Sequence, residues 1–99
     1  MSESTAFITG TWVDADGGQK KCDRSPATAT RVGTTFHIDV EESGRGSVTM
    51  DGTGGRGKFT TRGGITLTIA FEAERGTVRY RLLDGSAQVA TGIIYDLPL

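Results

Sequence analysis

The sequence has one cysteine and two prolines among 99 residues. A single Cys22 excludes an internal disulfide. So few prolines beside 15 glycines point to tight turns between ordered strands, and away from a linker. Charge of one sign is also missing: 11 basic residues face 12 acidic ones, for a net charge of -1. No overall field then draws the chain to nucleic acid or to an anionic membrane, and neither is expected as a partner. No apolar run approaches the roughly 20 residues a bilayer-crossing helix needs. The opening MSESTAF has no basic segment followed by an apolar one, so no leader is expected. The lone thiol and the absent leader together fit a reducing, cytoplasmic setting. No segment combines a helical period with caps.

What the chain does have is alternation. Ile65, Leu67, Ile69, Phe71 and Ala73 occupy every second position of ITLTIAFEA, a period of two that puts them on one face of a β-strand. Phe36, Ile38 and Val40 alternate with His37, Asp39 and Glu41, and Val78, Tyr80 and Leu82 alternate with Arg79 and Arg81. Further strands are expected over 6–13, 47–50, 58–62 and 88–95, with weaker ones in 19–26 and 27–32. Residues 14–18, 51–57, Gly63-Gly64 and Asp84-Gly85 read as turns. About eight short strands joined by tight turns predict an all-β fold: a small antiparallel up-and-down barrel in which the first strand pairs with the last. Residues 1–5 are expected as a disordered tail before a single domain over 6–99. The expected inward face is Trp12, Phe36, Ile38, Val40, Val48, Met50, Phe59, Ile65, Leu67, Ile69, Phe71, Val78, Tyr80, Leu82, Val89, Ile93 and Tyr95. Such a set nearly fills an eight-stranded barrel, so a cavity is expected to be small, or the binding surface to lie at a mouth or outside.

Three motifs are better explained by local structure than by chemistry. Gly52–Lys58 spells GTGGRGK, but Phe59 stands where a phosphate-binding loop has Ser or Thr, and no helix follows. Asp14-Ala15-Asp16-Gly17 hints at a calcium loop, yet Ser25 stands at the twelfth position, where Glu would be needed. His37, Asp39 and Glu41 share a strand face. A lone histidine with Cys22 as its only soft partner does not make a zinc site, so the three read as a solvated face, open to pairing with Arg79 and Arg81. The cluster Arg45, Arg56, Lys58 and Arg62 is locally basic, but it lacks the exposed aromatics that stack nucleobases. No metal or cofactor is implied.

Gly10-Thr11-Trp12, opening an all-β meander, resembles the G-x-W signature of the lipocalin and calycin group. The run from Gly57 to Gly85 resembles the strand-turn-strand rhythm of bacterial lipocalin-like domains. Ile8–Trp12 is also similar to the opening strand of avidins. That group lines its site with several tryptophans, and this chain has one, so biotin binding does not carry over. The small barrel-shaped protease inhibitors that open on G-x-W usually carry a disulfide, which Cys22 alone forbids. The resemblance implies a barrel in which Trp12 roofs one end, Gly10 lets another segment pass close, and a small apolar molecule binds at the open end. Trp12, Phe36, Phe71, Tyr80 and Tyr95 are the expected ligand-binding walls. Two alternatives stand beside this reading. A cyclase- or isomerase-type enzyme would use the same cavity, with His37, Asp39 or Tyr95 as a proton relay. An interaction module, such as an inhibitor or assembly subunit, would use loops or an edge strand. If Ala27–Val32 were an unprotected edge, pairing through it would give a homodimer.

Overall fold

The computed structural model describes residues 2–13, 18–41 and 43–97. The turn residues Asp14-Ala15-Asp16-Gly17 lie outside the described residues. Eight strands form one sheet: β1 (Ser2–Val13), β2 (Gln19–Val32), β3 (Thr35–Val40), β4 (Gly44–Asp51), β5 (Gly54–Thr61), β6 (Thr66–Glu74), β7 (Thr77–Asp84) and β8 (Ala87–Tyr95). Each pairs antiparallel with its sequence neighbours, and β1 pairs antiparallel with β8, closing the barrel in the order β1-β2-β3-β4-β5-β6-β7-β8. Closure leaves neither terminal strand as an open edge. Among the described residues no helix is long and apolar enough to cross a membrane.

The period-two reading places the core. Phe36, Ile38, Val40, Val48, Phe59, Leu67, Ile69, Phe71, Val78, Tyr80 and Leu82 are all buried. The strands with apolar inward residues and polar outward ones are those whose alternation is plain in the sequence. Strand β5 is different. Residues 51–57 are expected as a long turn, but only Gly52 and Thr53 turn the chain, and pairing resumes at Gly54 opposite Asp51. Gly55 and Gly57 are inward strand positions. A Cβ on Gly57 would run into the backbone carbonyl of Ser47 on β4, so glycine permits a close strand approach there.

Three further differences from expectation have local causes. Ser2–Thr5, expected as a tail, pair with Thr28–Arg31 and extend β1. Small residues at Ser4 and Ala6 conceal this alternation in the sequence. Ile65 is 58% exposed. It precedes β6 in the turn, where its N–H donates to Thr61 Oγ1 at 3.1 Å. In β8 the inward residues are Ala90 and Ile94 rather than Ile93 and Tyr95. The register shifts between Leu82, opposite Ala90, and Leu83, opposite Gln88. Val89 is therefore an extra residue, a bulge that reverses the phase of everything after it. Val89 still packs on the core.

Strands β2 and β3 differ most in length, at 14 and 6 residues. Their pairing runs from Thr28 opposite Asp39 to Val32 opposite Thr35. Within Ala27–Val32, residues 28–31 are held between β1 and β3 and Val32 pairs with β3, so this stretch is not the expected edge; Ala27 pairs with β1 alone. The first half of β2, from Gln19, pairs with β1 alone and reaches past the end of β3.

Candidate functional site

A cavity lies where β2 outruns β3. Its volume is about 440 Å³, and its walls are Ile8 and Trp12 of β1, Lys20, Lys21, Cys22, Ser25 and Pro26 of β2, Val40, Glu41 and Ser43 at the β3–β4 turn, and Thr61 of β5. Strand pairing explains which β2 side chains face it. Lys20 is opposite Trp12, Cys22 opposite Gly10, and Ser25 opposite Ile8, and directly opposed residues share a face of the sheet. Ile8 and Val40 are buried, so the walls are apolar where they meet the core and polar at the rim.

Trp12 links the cavity to the barrel interior. Its indole Nε1–H donates to Tyr80 Oη at 3.2 Å, and its ring meets Phe59 edge-on with centroids 6.1 Å apart. Tyr80 reaches Trp12 across two glycines: Tyr80, Gly92 and Gly10 are successive partners on β7, β8 and β1. A Cβ on Gly10 would collide with Tyr80 Oη and lie 2.5 Å from the Thr91 carbonyl oxygen. The Gly10-Thr11-Trp12 triplet therefore has a definite geometry: glycine makes room for a tyrosine hydroxyl, and the tryptophan two residues on binds that hydroxyl. Burial pushes Tyr80 from an ordinary 10.0 up to about 12, with the Trp12 bond opposing the shift and the nearby Cys22 adding to it. Tyr80 is thus a neutral hydroxyl across the physiological range. The Cys22 thiol donates toward Ser25 Oγ at 2.8 Å and lies 3.3 Å from the Ile8 carbonyl oxygen.

Of the five expected wall residues, Trp12 alone lines this cavity. Phe36, Phe71 and Tyr80 are buried in the core cluster. Tyr95 lies outside, opposite Phe7. There Arg24 stacks over both rings, 4.9 Å from the Phe7 centroid and 5.3 Å from that of Tyr95. Arg24 sits in a second bulge, where the register passes from Ile8–Ser25 to Gly10–Cys22, and it adopts φ 52°. Its backbone N–H donates to Thr9 Oγ1 at 3.1 Å. The residues that sequence reasoning passed over are Lys20, Cys22, Ser25, Ser43 and Thr61. None is apolar enough to register in an alternation pattern.

His37 and Asp39, offered as a proton relay, also lie outside. With Thr28, Thr30, Arg45, Ser47, Lys58 and Thr60 they line a shallow polar groove of about 540 Å³ on the outer face. The Asp39 carboxylate is 3.7 Å from Arg62, both side chains being half exposed, and Arg45 stands directly across from Asp39 on β4. These are the cationic partners of that face. Arg79 instead pairs with Glu74 at 3.8 Å. No group of three or more His, Cys, Asp or Glu residues able to hold a metal ion occurs among the described residues.

No protein-family model matches the chain, and no curated protein or solved structure matches it. The molecule is an all-antiparallel closed barrel of eight strands among the described residues.

Proposed function

We propose that this barrel binds a small, largely apolar molecule in the cavity beside Trp12, in the manner its resemblance to lipocalins implies. The observation that supports this reading most directly is the cavity itself. Its volume of about 440 Å³ falls within the roughly 300–1,000 Å³ of pockets that enclose small ligands. An apolar floor of Ile8, Trp12 and Val40 under a rim of hydroxyl, amine and carboxylate groups suits an apolar body with one polar end. This cavity lies beside Trp12 and does not include the buried Phe36, Phe71 and Tyr80, so the site this reading uses is at the mouth.

Trp12 is the only tryptophan, and its fluorescence reports on the cavity. Titration with 1-anilinonaphthalene-8-sulfonate is expected to produce saturable quenching of Trp12 and a rise in the unfolding temperature. Ser43→Phe, which fills the cavity from the turn side, should remove the saturable response while the far-ultraviolet spectrum stays that of the parent. The reading fails if no saturable change occurs with this probe or with a panel of small apolar acids, alcohols and amines. It fails equally if Ser43→Phe binds as the parent does.

A further inference from the structure

We infer that the free edge of β2 is a strand-addition site for an extended peptide with acidic and apolar residues in alternation. Pairing with β3 begins only at Thr28. From Gln19 to Ala27 the strand therefore has β1 on one side and, among the described residues, no strand on the other. A strand lacking a neighbour presents a row of backbone donors and acceptors on that side, and an extended peptide satisfies them by adding as a new strand. This inference rests on the proposed function only in using the same cavity.

The cavity runs along that same edge, with β2 as one wall and Val40 and Ser43 as the other. Side chains of an added strand alternate between faces, about 7 Å apart on each. One apolar side chain of the peptide would then drop onto Trp12 and Val40 while its neighbours remain outside.

The charge on the edge selects the partner. The sequence Gln19–Pro26 carries Lys20, Lys21 and Arg24 against Asp23, and neither lysine forms an ion pair among the described residues. A second copy of the chain is a poor occupant. A second copy brings the same excess of positive charge, Lys20, Lys21 and Arg24 against Asp23, to the same edge, and like charges so brought together repel. Pro26 has no N–H to give to any added strand, so pairing with the peptide is expected over residues 19–25. The same lysines that oppose a second copy attract an acidic strand.

The test uses the whole chain and a synthetic peptide, acetyl-Glu-Val-Glu-Leu-Glu-Val-Glu-amide, with a version N-methylated at alternate residues as control. The methyl groups block backbone hydrogen bonding and leave every side chain in place. Amide hydrogen exchange within residues 19–27 is expected to be rapid in the free protein at the N–H groups that face away from β1, and to slow at least tenfold there with the peptide. The N-methylated peptide should give no protection, and the double variant Lys20→Glu, Lys21→Glu should weaken binding at least tenfold. Alkylation of Cys22 by iodoacetamide should slow in parallel with exchange. Three results each overturn the inference: no protection of 19–27 at millimolar peptide, equal protection by the N-methylated form, or protection that grows with protein concentration alone, which would make a second copy the occupant. If the fluorescent probe binds at Trp12 and the peptide does not, strand addition alone is wrong. If the peptide binds and the probe does not, the small-molecule reading alone is wrong.

Discussion

At the scale of single residues, the contact among Gly10, Trp12 and Tyr80 constrains the chain most tightly. The Tyr80 hydroxyl occupies the space a Cβ on Gly10 would need, and the Thr91 carbonyl oxygen crowds the same point from β8. One obstacle is the tip of a ring and the other is backbone, so relief would require moving a strand. Gly10→Ala is therefore expected to destabilise the fold by about 1–3 kcal/mol, the usual cost of overpacking. The variant should also release Trp12 from Tyr80, shifting its emission to longer wavelength in the folded protein. Denaturant unfolding and the emission maximum check both, and an unchanged midpoint would contradict this account of the triplet. Glycine and tryptophan two residues apart on a strand were legible in the sequence as one face. Their partner Tyr80, 68 positions from Trp12, was legible only as an inward residue, because nothing local says which inward residues meet.

Among the elements, legibility follows side-chain size. Strands β3, β6 and β7 alternate large apolar residues with polar ones, so period and face are both readable. The inward positions of β2 include Cys22, Ser25, Ala27 and Ala29, and those of β5 include Gly55 and Gly57. Small residues bury little area and leave no period, although the strands exist. Bulges are invisible for a different reason. The extra residue Val89 is as apolar as its neighbours, so the change of phase that turns Tyr95 outward and Ile94 inward has no signature. The cavity was unreadable too, since it results from a difference in length between β2 and β3 rather than from any motif. Strand β6 gives a direct test of where alternation stops. Ile65 and Ile69 share a parity in the sequence, but Ile65 is 58% exposed in the turn and Ile69 is 4% exposed in the core. Ile69→Ala should cost about 2–5 kcal/mol, as large-to-small core changes do. Ile65→Thr should stay within about 0.5 kcal/mol of the parent, as exposed substitutions do. Equal losses in chemical denaturation would place Ile65 back in the core.

For the whole molecule, closure and pH are connected through one side chain. Tyr80 joins β7 to Trp12 on β1 through a hydrogen bond inside the barrel, next to the β1–β8 pairing that closes it. Burial raises the Tyr80 hydroxyl from 10.0 to about 12, so the folded chain holds this proton more tightly than the unfolded chain does. Below pH 10 both states keep it, and the group adds no pH dependence. As the pH rises from about 10 to about 12 the unfolded chain releases the proton first, and the folded state loses stability at each step. Beyond about 12 both states are ionised and the loss levels off. Two pKa units correspond to about 3 kcal/mol, which is a substantial part of the stability of a domain this size. Alkaline unfolding should therefore begin near pH 10 and steepen toward 12. Tyr80→Phe leaves Trp12 Nε1 without its acceptor, so at neutral pH the variant should be less stable than the parent by about 1 kcal/mol. It should also lose the Tyr80 share of the slope between pH 10 and 12. The two stability curves, measured by urea unfolding at fixed pH, should converge or cross as the pH rises. Parallel curves over that range would show that the Tyr80 proton has no part in holding the barrel closed.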